Sequence, residues 1–163
     1  MRTTTRAGLA LTAVTALLVG GSGASATPPT GEQGLPTPGP VLIGGLEGGT
    51  RAKQDGIQLK VRSDTLVRTF TLTYPVGSSS GWHSHPGIVL ATVQQGTVVR
   101  RVGCTKQKFT VGQSFTEAAP HQVSNAYRSP GQQGAVDAVL SITQLVPADT
   151  KATRIEQDPP NCS

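Results

Sequence analysis

Aromatic residues are scarce in this chain: one Trp, two Tyr and three Phe among 163 residues. A core this lean buries little area per residue, so the fold needs a covalent tie or pairing between subunits to be comfortably stable. Basic residues are scattered, with Arg100-Arg101 the only adjacent pair. Without a basic stripe or interleaved aromatics, nucleic acid is excluded as a partner. Only one apolar run stands out, Ala7 to Val19, and it is shorter than the roughly 20 residues a spanning helix requires. There is no CxxC, no phosphate-cradling glycine loop, no Ser/His/Asp set at a recognisable spacing and no internal repeat.

The apolar run follows two arginines and ends in small residues, and Ala24-Ser25-Ala26 reads as an A-x-A cleavage site. Residues 1–26 are therefore expected to be a signal peptide, giving a secreted, extracellular protein that begins near Thr27 and is not membrane-anchored after cleavage. Without Arg2 and Arg6, the whole-chain charge of +5 falls to that of 12 basic against 9 acidic residues, +3. That suits solubility and mild attraction to anionic surfaces. Cys104 and Cys162 are the only cysteines. In an exported protein an even count predicts a disulfide, which here would pin the C-terminal tail to the domain body. Closing so long a loop is worth about 4 kcal/mol in the chain-entropy model.

Residues 27–40, "TPPTGEQGLPTPGP", are rich in Pro, Gly and Thr and nearly free of apolar side chains, so they read as a flexible linker. The domain is assigned to 41–163, its motif-bearing part to 57–146. "VLIGGLEGGTRAKQDG" opens it, and its glycines keep any element there short. From Ile57 onward, short β-type runs take over. "TLVRTFTLTY" alternates, with Leu66, Arg68, Phe70, Leu72 and Tyr74 on one face. "IVLATVQ" and "TVVRRV", separated at Gln95-Gly96, predict a hairpin. "KQKFTV", "QSFTE", "HQVSNAY" and "AVLSITQLV" are further strands. No segment carries a helical stripe, and many short strands with frequent turn signals predict an all-β sandwich or barrel.

Two of the three histidines lie in "GWHSHPG". On a strand, residues i and i+2 project from the same face, roughly 6.5–7 Å apart, so His83 and His85 can converge on one ion. Imidazole suits Zn, Cu, Fe and Ni, and catalytic sites combine about three protein ligands with open positions. His121 is the histidine left to complete the set from a neighbouring strand.

Gly77, five residues, then His83-Ser84-His85 and later Gly96 resemble the first motif of the cupin family, G-x5-H-x-H-x3,4-E-x6-G. His121-Gln122-Val123-Ser124-Asn125 resembles the end of the second, H-x3-N, and Gly112 the glycine that opens it. "SSGWHSHPG" and the late cysteines are similar to those of small exported bacterial cupins. The resemblance covers about Ile57 to Val146. It implies a small barrel of two antiparallel sheets, often a homodimer, with a divalent metal (Fe, Mn, Zn, Ni or Cu) inside. It makes His83, His85 and His121 the metal ligands and Asn125 a strand-end polar residue. Two departures stand out: Val89 occupies the position of the motif glutamate, with Leu90 beside it, and "EAAPH" replaces the P-x-G turn before His121.

A three-histidine set also resembles the cupin-type thiol dioxygenases, which bind Fe(II) and leave positions for substrate and oxygen. Glu117, four residues before His121, is a candidate to replace the lost carboxylate or to orient a ligand histidine. Trp82 and Tyr74 flank the site in sequence, and their rings are expected to pack rather than to stack on a ligand. Two functions follow as expectations. One is a secreted metal-dependent enzyme on small molecules, of the oxygenase kind. The other is a non-catalytic barrel that binds a small ligand or metal through a degenerate site.

Overall fold

Alternation in the sequence becomes sheet throughout. The computed structural model describes residues 26–31 and 33–162; the signal-peptide reading of residues 1–26 thus lies outside the described residues, Ala26 excepted. In chain order the strands are β1 (Thr37–Pro38), β2 (Leu42–Leu46), β3 (Arg51–Gln54), β4 (Ile57–Lys60), β5 (Thr65–Tyr74), β6 (His83–Ser84) and β7 (Ile88–Gln95). They continue as β8 (Thr97–Val102), β9 (Thr105–Thr110), β10 (Ser114–Thr116), β11 (His121–Asn125), β12 (Ala138–Pro147) and β13 (Ile155–Glu156). One antiparallel sheet runs β1-β5-β12-β7-β10, with β2 also paired to β5; the other runs β13-β6-β11-β8-β9. β3 and β4 form a separate hairpin across Asp55 and Gly56, both at positive φ, as a two-residue Asp-Gly turn requires.

The spine is the pairing of β5 with β12 along the full length of both, from Ala138 opposite Tyr74 to Pro147 opposite Thr65. Strict alternation sends Ala138, Leu140, Ile142, Gln144 and Val146 of β12 inward. They meet Val89, Ala91 and Val93 of β7 and, from the facing sheet, Val98 and Val123. Each such valine contributes about 1.5–3 kcal/mol when fully buried, so β-branched side chains supply what the few aromatics cannot. Trp82 and Tyr74 are both buried, as packing requires of them.

Two expectations are corrected. β8 has the predicted bounds and β7 runs one residue further, through Gln95, but the two form no hairpin: β7 pairs with β10 and β12, and β8 with β9 and β11. Gly96 carries the chain from one sheet to the other. It sits at φ 72°, and a Cβ there would lie 2.8 Å from the Asp137 carbonyl oxygen, so the corner is closed to other residues. The hairpin partner of β8 is β9.

The second correction concerns residues 27–40. They do not float: Thr30 exchanges backbone hydrogen bonds with Ser79 (2.9 and 2.8 Å), and β1 pairs with β5. A segment with no apolar periodicity docks here through its main chain and its proline rings, neither of which leaves a periodic signal. Cys104 and Cys162 are disulfide-bonded, their Cα atoms 5.6 Å apart. The bond fastens the tail to the β8–β9 turn and suits an oxidising compartment. Among the described residues no helix is long and apolar enough to cross a membrane.

Candidate metal centre

His83 on β6 and His121 on β11 are directly opposite each other in the antiparallel register. Their ring centroids are 4.2 Å apart, and His85, two residues on, brings its ring within 4.8 Å of His83 and 5.5 Å of His121. Glu117, just past the end of β10, completes the group. One ligand atom from each of His83, His85, Glu117 and His121 lies within 4.8 Å of the others. Glu117, the candidate carboxylate of the sequence, thus lies beside all three histidines. It reaches the cluster because its own N–H donates to the Val89 carbonyl at 3.0 Å, on the strand that lost the motif glutamate. Leu90 faces outward, half-exposed.

Each ring is oriented by a backbone carbonyl on its far side. Nδ1 of His83 lies 3.0 Å from the Gly81 oxygen, Nδ1 of His85 lies 2.6 Å from that of Thr153, and Nδ1 of His121 lies 2.8 Å from that of Ala119. A carbonyl only accepts, so each Nδ1 carries the hydrogen and each Nε2 is left with its lone pair. Gln144 also approaches His85 Nδ1, at 3.2 Å, but the shorter contact to Thr153 decides the tautomer.

The Nε2 atoms of His85 and His121 stand 3.3 and 3.2 Å from the same oxygen of Glu117. A lone pair facing a carboxylate oxygen at that distance is repulsive unless a proton or a cation lies between them. His121 Nε2 is, moreover, buried without a hydrogen-bond partner. This set of four donors, three Nε2 lone pairs (that of His121 buried and without a partner) and one carboxylate, fits a divalent ion of the N/O-binding kind.

The electrostatics agree. Burial, reinforced by the neighbouring His121, pushes the His83 imidazole down to about 3, so it is neutral at ordinary pH. Burial alone would raise the Glu117 carboxyl, but its contacts with His121 and His85 outweigh that and hold it well below the usual carboxylate range. Burial, with the Glu117 charge adding to it, pushes the Tyr74 phenol far up.

A cavity of about 290 Å³ reaches the cluster. Its wall is mainly apolar, with Phe70, Leu72, Val89 and Ile142 on the sheet side and Pro29, Pro36 and Pro38 from the N-terminal segment. Val89 lines this space without closing it. Arg68, Gln144 and Arg154 also line it and were not anticipated as site residues. Gln144 is a polar residue at an inward position of an otherwise apolar strand face, and Arg68 lies on the inward face of β5. Those two placements were the available signals. Arg68 donates to Gln144 at 2.6 Å, and Arg154 donates to the Ser80 carbonyl at 2.6 Å. Asn125 is no ligand: its amide nitrogen donates to the carbonyls of Tyr74 (3.0 Å) and Val136 (2.9 Å), and its oxygen accepts from Tyr127 N–H (2.9 Å).

No family model matches the chain, and no curated protein matches it. Similar solved structures include a cupin domain from Schizosaccharomyces pombe, 13% identical, covering 49% of this chain and 52% of that one at a TM-score of 0.41. A cupin 2 conserved barrel domain protein from Salinispora arenicola is 17% identical, over 50% of this chain and 64% of its own, at 0.41. A cupin-like protein from Thermotoga maritima is 13% identical, over 59% and 77%, at 0.44. The chain spans about half the length of the first of these. Two facing antiparallel sheets that bring the motif histidines together are what the sequence resemblance implies, and they are the sheets this chain forms.

Proposed function

We propose that His83, His85, His121 and Glu117 hold one divalent metal ion at the wall of a cavity that admits a small molecule, in an exported protein. The observation that carries this is the set of three Nδ1–carbonyl contacts, which leave the Nε2 atoms free, with those of His85 and His121 facing one Glu117 oxygen and His83 within 4.8 Å of the same group. Four protein ligands leave positions free in a five- or six-coordinate ion, so Fe, Mn, Ni, Cu or Zn all suit the donors. When bound, such an ion supplies Lewis acidity or an oxygen-binding centre. The chain's own residues supply the rest: Phe70, Leu72, Val89 and Ile142 exclude water, and Arg68 with Gln144 offers donors to a ligand's polar end.

Outside the cluster, the titratable groups on the cavity wall are Arg68, Tyr74 and Arg154. With no further histidine or carboxylate on that wall, any general base here would also be a candidate ligand. This favours either chemistry carried by the ion, of the oxygenase kind, or ligand binding without catalysis. It disfavours acid–base catalysis without metal.

Elemental analysis of the untagged protein, beside His121→Ala, tests the proposal. Near-stoichiometric iron, manganese, nickel, copper or zinc, lost in a variant whose circular dichroism is unchanged, is the expected result. A protein that stays empty after incubation with each ion overturns it.

A further inference from the structure

A second concave site lies on the outside of the other sheet, away from the histidines. It encloses about 480 Å³ and is walled by the outward residues of β8, β9 and β11, the Gly77–Ser79 turn and the Tyr127-Arg128 segment. Three of its side chains are cationic, Arg101, Lys106 and Arg128, and none of its lining residues is Asp or Glu. Among the described residues, none of these three cations has a carboxylate within ion-pair distance.

The register makes this more than a scatter of surface charge. Arg101 and Lys106 are direct partners across the β8–β9 ladder, and Gln122 is the partner of Arg101 on its other side. Like charges placed directly opposite on one sheet face destabilise the pairing. The sheet therefore carries a standing repulsion that a bound anion would remove. Polar groups suited to an oxyanion stand beside it. The Ser78 hydroxyl is buried in the groove wall without a hydrogen-bond partner, as is Arg101 Nε, and Ser124 and Gln122 follow along β11.

We infer that this groove binds a tetrahedral oxyanion, phosphate or sulfate, free or as the ester group of a small molecule, with Arg101 and Lys106 as its principal contacts. Guanidinium and ammonium donors flanked by hydroxyl and amide groups are what such a ligand requires. The inference is independent of the metal centre.

The test is thermal unfolding of the full-length exported protein at low ionic strength, with inorganic phosphate, with sulfate, and with sodium chloride matched in ionic strength. Phosphate or sulfate should raise the Tm by at least about 2 °C more than chloride does. Lys106→Gln and Arg101→Gln should each lose most of that difference, and Lys53→Gln, the same charge change on the separate hairpin, should keep it. Lys106→Gln without added anion should unfold no earlier than the parent in low salt, because the repulsion is gone, and this separates loss of the site from loss of the fold. Adding glucose 6-phosphate and glucosamine 6-sulfate distinguishes an ester ligand, which then exceeds its free ion, from the free ion itself. An equal response to chloride and phosphate, or a Lys106→Gln response equal to the parent's, overturns the inference.

Discussion

Glu117 and Val89 are joined by a backbone hydrogen bond, N–H to carbonyl at 3.0 Å, across the edge between β10 and β7. Val89 stands on β7 where the motif resemblance expects a glutamate, and this bond sets the Glu117 carboxylate, one residue past the end of β10, beside it. Because antiparallel neighbours on one face lie within about 4.5–5.5 Å of each other, a ligand can move across a strand without moving the ion.

Glu117→Gln therefore removes a charge from the cluster while keeping its shape. Metal affinity, measured by competition with a chromophoric chelator, should fall at least about tenfold. An unchanged affinity would make Glu117 a bystander.

Stability should fall with acid, and the sign follows from the two shifted groups. His83 is held neutral, with its pKa at about 3 against 6.5 when unfolded. Protons thus bind the unfolded chain first, and its contribution is complete above pH 6.5 and lost progressively as pH falls toward 3. Glu117 is shifted below the usual carboxylate range, so its share is present above about 4.5 and is lost below that. Urea midpoints in EDTA should decline from pH 7 to 4, and His83→Gln should flatten the upper part of that slope. A flat parent profile would contradict the buried, neutral imidazole.

Asn125 holds three backbone groups with one side chain. Replacing it with Leu strands two carbonyls and one N–H in a buried place, at a cost of about 2–4 kcal/mol. Metal retained per folded molecule should not change, which distinguishes this residue from the histidines that share its motif.

Gly96→Ala should destabilise by more than about 1 kcal/mol, since it adds both left-handed strain and a clash with the Asp137 carbonyl. Chemical denaturation measures it, with Gly103→Ala as the comparison. Gly103 also has positive φ, but a Cβ there meets nothing within 4 Å, so its loss should be the smaller.

Much of this was legible in the residues. The ten-residue β5 and the alternation of β12 are period-2 patterns set by burial on one face, and His83 and His85 share a face for the same reason. Glu117 was visible only as a carboxylate near His121, since its approach depends on which strand lies beside β7. Pairing is where local reading stops. Gln95-Gly96 has the chemistry of a turn, yet whether a turn closes a hairpin or crosses between sheets depends on what packs behind it, here Asp137 and Ala138. The docking of residues 27–40 was invisible for a related reason: main-chain hydrogen bonds to Ser79 and Thr71 leave no mark on composition. Thr153 acts on His85 through a carbonyl, which every residue has.

That carbonyl has a consequence for how the molecule is put together. Thr153 precedes β13, whose two residues pair with Ser84 and His83, and the stretch beyond β13 ends at the disulfide to Cys104. The bond thus clamps, at a distance, the segment that sets the angle of one imidazole. Reducing that bond would remove the covalent hold on the segment whose carbonyl orients His85, so the Cys104–Cys162 pair and the histidine cluster are mechanically linked although they lie on different parts of the fold.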